Sequence, residues 1–160
     1  MVKILESIEK VLLHITSAMF FFIVILTLVQ VFYRYVLNDA LSWSSELTRI
    51  VFVWMTFLGS AVAINRGRHM RIDTVVAILP PRVQVMVDIA MHMAIIAFLG
   101  VVIYLCPEVI ERSSSAVTGA LRWPRVVFFL PLLAGGGLMM VYCLRHIVQQ
   151  WQGLAKGGEA

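Results

Sequence analysis

Charge is scarce in this sequence, and it is scarcest where apolar residues run longest. No Asp, Glu, Lys or Arg falls between Val11 and Tyr33, between Ile50 and Asn65, or between Val126 and Leu144. Charged residues make up 14% of the chain against 61% hydrophobic, and mean hydropathy is +0.91. A soluble domain could not hide that much apolar surface, because an apolar content of about half is already typical. Short alternating strands are missing, which argues against a membrane β-barrel. Cysteine is nearly absent, so no disulfide framework or metal-ligand spacing can be built. Neither a Ser-His-Asp or Cys-His set that could be placed together nor a phosphate-binding glycine loop occurs. Nothing here argues for a hydrolase or an ATPase.

What is present is four apolar runs in one 160-residue domain, an all-α integral membrane protein. The spans fall near 11–36, 47–65, 83–106 and 124–146. Residues 47–65 would measure about 28 Å as a helix, enough for a hydrocarbon core of about 30 Å. The first run lacks Gly and Pro up to Val36 and follows an amphipathic start at residues 2–10, predicting one helix of roughly 50 Å from about Ile4. Such a helix must tilt or project from the bilayer. It exceeds the usual signal-peptide core of roughly 7–15 residues and lacks a small-residue cleavage site, so an uncleaved first span is expected.

Between the spans, Asn38-Asp39 offers a turn, with Asp39 or Ser42 as a cap for the second helix. Pro80-Pro81 marks the start of the third helix, and Pro107 could bend its extension. Residues Ser113 to Gly119 read as an outer loop, and Trp123-Pro124 is expected to open the fourth helix. Pro131 and Gly135 to Gly137 predict a kink or close packing within it. Cys106 and Cys143 fall near opposite membrane faces, about a bilayer core apart, which forbids an internal disulfide.

Basic residues orient the chain. Both termini and the middle hairpin share one side, which carries Lys3, Lys10, Arg66, Arg68, Arg71, Arg82, Arg145 and Lys156. The other side carries Arg34, Arg49, Arg112, Arg122 and Arg125. The excess places both termini and the hairpin in the cytoplasm. Anionic lipid headgroups are sufficient partners for a chain of pI 9.4, without nucleic acid.

Few residues could carry chemistry. Glu46 and Arg49 share a helix face with Trp43 one turn earlier. Two readings stand: an interfacial anchor with Glu46 pairing Arg49, or a docking surface for a partner. Trp54 lies deeper in the same span, where packing is the usual role. Gly59, Ala63 and Gly67 repeat every fourth residue, a stripe that lets another helix approach closely, inside this chain or on a partner. Asp88 and His92 are spaced to meet within the third span, where ionisable groups are costly. Asp88 near Arg82 also suits a solvated helix start. His14 and His92, on different helices, would suit a b-type haem if their depths matched. A self-contained transporter would need a polar midplane site, and the first, second and fourth runs supply no acid or base for one.

The ordered series Phe32, Tyr33, Arg34, Asn38, Trp43, Glu46, Arg49, Trp54, Gly59, Ala63, Gly67, His69 and Asp73 resembles the small membrane subunit, DctQ-type, of tripartite ATP-independent periplasmic (TRAP) transporters. The series covers some forty residues, and the length and four-span layout fit the rest. The resemblance implies an inner-membrane protein without catalytic chemistry or cofactor of its own. It would work beside a large multi-span subunit that carries substrate and sodium ions, and a periplasmic binding protein that captures an organic anion. Within that scheme Trp43, Glu46, Arg49, Trp54, Gly59 and Ala63 are partner or interface candidates. His69 and Asp73 would fix the inner hairpin, with Gly67 in its turn and Arg66, Arg68 and Arg71 at lipid phosphates. Two other readings are a haem-bearing anchor of a respiratory enzyme and a small multidrug exporter. The exporter usually relies on a carboxylate in its first span, and Val11 to Tyr33 has none.

Overall fold

The computed structural model describes residues 2–66, 80–113 and 116–156. Among them are four long α-helices and no strands: α1 (Val2–Val36), α2 (Ser42–Asn65), α3 (Pro81–Ser113) and α4 (Leu130–Lys156), with a 3-10 turn at Arg125–Phe128. Each is long and apolar enough to cross a bilayer. At about 1.5 Å per residue, the 35 residues of α1 extend some 50 Å, well beyond a hydrocarbon core.

The lateral order is α1, α2, α4, α3: α1 packs on α2, α2 on α4, and α4 on α3. One seam buries Ala61 and Ile64 of α2 against Leu99 of α3 and Met139, Tyr142 and Cys143 of α4. The other buries Leu12 of α1 against Leu58 and Val62 of α2, with Trp54 packed on its edge. Large side chains elsewhere face outward, among them Phe21, Leu28, Phe98 and Tyr104. So much apolar surface requires lipid or a partner around it.

Two threonine hydroxyls inside the spans are satisfied by their own helices, as a medium without water favours. Thr16 donates its hydroxyl to the Leu12 carbonyl at 2.9 Å, and Thr56 to that of Phe52 at 2.8 Å. These hydroxyls remain occupied within their own helices, which leaves them poorly placed to bind a solute.

Local signals resolve in four ways. The turn after α1 forms with Asn38 at φ 53°, a left-handed conformation that Asn tolerates better than most residues. Neither Asp39 nor Ser42 caps α2: Leu41 holds that position without a side-chain bond, because Ser42 is already helical. The Ser44 hydroxyl donates back to the Leu41 carbonyl at 2.7 Å, which satisfies the hydroxyl and not the free N–H groups of the first turn. α3 continues through Pro107 to Ser113.

The fourth helix opens later than Trp123-Pro124 suggests. A 3-10 turn follows Pro124, and α4 begins at Leu130, which puts Pro131 in the first helical turn where a missing N–H costs nothing. Close packing is instead the work of Gly135. A Cβ there would sit 2.7 Å from Phe57 Cβ and 2.9 Å from the Phe57 carbonyl carbon. The α2–α4 approach therefore depends on a missing side chain in α4. At Gly59 an added Cβ would meet nothing within 4 Å, so that residue serves no close contact inside the described chain.

Candidate functional site

The polar residues gather at the two ends of the helix row. At the end holding both termini, Asn65 closes α2 and joins three helices. Its amide nitrogen donates to Glu9 of α1, and its side-chain oxygen accepts from Arg145 of α4 at 3.3 Å. Its backbone carbonyl accepts the His146 ring N–H at 3.3 Å. That carbonyl belongs to the last turn of a helix, where acceptors lack intrahelical donors and the negative end of the dipole favours cations. Arg66, the next residue, donates to Glu9 at 2.6 Å. Arg66 is thus engaged through Nε by an acid of α1, with its side chain still 36% exposed.

The same end ties α3 to α4. Gln150 donates to Asp88 at 3.1 Å, so Asp88 is half-buried and bonded across the helix pair where a solvated helix start was expected. His92 does not use the Asp88 carboxylate. Its ring N–H donates to the Asp88 backbone carbonyl at 2.7 Å, and its ring lies 5.4 Å from that of His146. His14 is exposed on α1, with its ring on the Lys10 carbonyl, while His92 lies on α3 at the far side of the row. The structure therefore does not bring His14 and His92 together as a haem pair. Among the described residues, no group of three or more His, Cys, Asp or Glu could hold a metal ion. Cys106 and Cys143 are both buried and free.

At the opposite, distal end, Glu46 anchors the loop between α3 and α4. Its two carboxylate oxygens accept the backbone N–H groups of Ala120 and Leu121, each at 2.9 Å. The loop is preshaped for this. Thr118 donates its backbone N–H to the Trp123 carbonyl at 2.8 Å, and its hydroxyl accepts the Trp123 N–H at 3.0 Å. Gly119 admits the carboxylate, since a Cβ there would lie 3.3 Å from Glu46 Oε1. Glu46 is directed at the loop backbone, and among the described residues it makes no ion pair with Arg49. Gln30 and Ser45 add a 3.3 Å bond between α1 and α2 at this end.

The remaining candidates separate cleanly. Trp43 is 41% exposed at the distal end, and Trp54 packs inside on the α1–α2 seam. Gly59 and Ala63 line a cavity of about 540 Å³ between α1 and α2, with Thr16, Ser17 and Phe20 on the α1 side. Gly67, Arg68, His69, Arg71 and Asp73 lie outside the described residues. Sequence reasoning missed Glu9, Asn65, Arg145, His146 and Gln150 as a set. The available signal was depth: all five lie near the ends of runs that finish on one side.

A family model, "Tripartite ATP-independent periplasmic transporters, DctQ component", matches residues 23–153. The chain is 28% identical to the sialic acid TRAP transporter small permease protein SiaQ of Vibrio cholerae over 142 residues, 88% of this chain and 79% of that protein. It is 30% identical to the C4-dicarboxylate TRAP transporter small permease protein DctQ of the same organism over 94 residues, 56% of this chain and 40% of that protein. Against the isethionate TRAP transporter permease protein DctMQ of Oleidesulfovibrio alaskensis it is 27% identical over 129 residues, 76% of this chain but 20% of that longer protein. With four apolar helices and relatives that are transport components, the molecule is a multi-pass inner-membrane protein and not an enzyme. The chain belongs to the DctQ-component family of tripartite ATP-independent periplasmic transporters, as a small permease subunit.

Proposed function

We propose that this subunit is the membrane scaffold of a sodium-driven transporter for organic anions. It would brace a large multi-span subunit and help dock a periplasmic substrate-binding protein. The observation that carries this reading is where polar groups stand. α1 from Val11 to Tyr33, α2 from Ile50 to Asn65 and α4 from Leu130 to Leu144 hold no Asp, Glu, Lys or Arg, while charged side chains at both ends join one element to another. A conduit needs polar groups at the midplane; a brace needs rigid ends. The relative DctMQ, a single permease protein that contains a stretch matching most of this chain, supports partnership with a larger membrane subunit. Relatives named for sialic acid, C4-dicarboxylate and isethionate support an anionic substrate.

In this reading sodium binds to the large subunit, and this chain holds no cofactor. The terminal end faces the cytoplasm, where Arg68 and Arg71 meet lipid phosphates and His69 and Asp73 fix the hairpin. Gly59 and Ala63 receive a partner helix, while Trp43 and the Glu46-bound loop form the end that presents a surface to the binding protein. Co-expression of the tagged chain with the large subunit tests the brace. Both should purify together in fixed stoichiometry, and Gly59→Leu should release the partner while leaving this chain's own helix content unchanged. Purification without the large subunit would refute the reading.

A further inference from the structure

Because Glu46 is held by the loop, Arg49 lacks the acid that its spacing offers. A cavity of about 500 Å³ opens beside it, between α2, the loop and the 3-10 turn. Arg49 and Arg125 line this cavity, Thr118 and Glu46 border it on the loop side, and Phe128 and Phe129 form an apolar wall. Both guanidinium groups belong to exposed residues, and neither has an ion pair among the described residues. Arg49 lies about 10 Å along the helix from Ser42, at roughly 1.5 Å per residue, and directly precedes the uncharged run Ile50 to Asn65, so it stands at the edge of the apolar span. An unpaired guanidinium at such depth favours an anionic partner, and its planar fork matches phosphate oxygens.

Charge and shape select among anions. Two guanidinium groups and one carboxylate leave the cavity with a formal charge of +1, which a monoanion balances. Inorganic phosphate, a mixture of monoanion and dianion near neutral pH, could meet the arginines but would leave the wall of Phe128 and Phe129 uncovered. An acidic side chain of a soluble protein would satisfy the arginines but leave the phenylalanine wall uncovered. An amphiphile with one phosphodiester and an acyl chain meets both halves. The wall leads directly into α4, which carries no charge before Arg145, so an acyl chain can continue along apolar surface.

We propose that this cavity binds a membrane phospholipid, its phosphodiester clamped between Arg49 and Arg125 and an acyl chain lying on Phe128 and Phe129. The site serves either orientation of the chain, since phospholipids occupy both leaflets, and is independent of the transport role. Native mass spectrometry of the purified full-length chain tests it, with phosphatidylglycerol, phosphatidylethanolamine, diacylglycerol and inorganic phosphate as separate probes. Both phospholipids should be retained at least tenfold better than diacylglycerol, and inorganic phosphate should not displace them. R49Q/R125Q should reduce phospholipid retention about tenfold with helix content unchanged, and R49K/R125K should reduce it less. Equal retention of diacylglycerol and phospholipid in the unaltered chain would overturn the site, and that comparison needs no variant to fold. Displacement by millimolar phosphate would overturn it in favour of a free-anion site. Unchanged lipid retention in R49Q/R125Q, with loss of binding-protein capture, would overturn it in favour of a protein contact.

Discussion

The two ends of the helix row are both polar, yet they are built differently. At the terminal end, Asn65 connects Glu9 of α1 with Arg145 and His146 of α4, and Gln150 carries the linkage on to Asp88 of α3. At the distal end one carboxylate, Glu46, holds one loop, and Arg49 and Arg125 are left over. Among the described residues, the terminal end joins its helices through one ion pair, Glu9–Arg66, and through the side-chain amides of Asn65 and Gln150. The distal end fastens its backbone and leaves cations facing outward. Holding helices and offering charge to the surroundings are thus assigned to opposite ends, with an apolar middle between them.

The largest expected effect falls on the joint that both ends share. Gly135→Val should drive α4 from Phe57, costing about 2–3 kcal/mol or more by overpacking. Thermal unfolding in detergent should show a lowered midpoint, and Gly136→Ala, whose Cβ meets its nearest neighbour at an ordinary 3.5 Å, should leave it nearly unchanged. A smaller loss is expected at the terminal end. Asn65→Leu removes a side-chain donor and acceptor used by Glu9 and Arg145, at about 1–3 kcal/mol for partly buried partners left unsatisfied. If this variant melts like the parent, the contrast between the ends collapses.

Glu46→Gln should cost less, about 1 kcal/mol, since the amide oxygen can keep one of the bonds to Ala120 and Leu121 while the NH2 group cannot accept the other. Its effect should be local: amide hydrogen exchange should speed up at Ala120 and Leu121 and stay unchanged near Asn65. The smallest change is expected for Tyr142→Phe. The Tyr142 hydroxyl is buried without a hydrogen-bond partner among the described residues, so its removal should alter stability by no more than about 0.5 kcal/mol, or raise it. Marked destabilisation would add a polar contact to the terminal end.

These results bear on what the sequence made legible. Four spans, the break at Asn38 and the start at Pro81 could be read because each depends on neighbours in the chain. The glycine that brings helices together could not be chosen: Gly59 and Gly135 look alike in sequence, and only packing shows that Phe57 lies against the second. The Glu46–Arg49 pairing failed for a related reason. Helical spacing identifies residues that can meet, but Glu46 has competitors 74 and 75 positions away that satisfy it better. Asn65 was taken as the end of an apolar run, because its partners Glu9 and Arg145 belong to other helices.

Reconstitution into proteoliposomes tests the central claim most directly. The account predicts that this chain alone takes up no more substrate than protein-free liposomes under an inward sodium gradient. Uptake should appear only with the large subunit and a loaded binding protein, and should fail when this chain is omitted. Sodium-dependent uptake by this chain alone, or full uptake without it, would contradict the scaffold account.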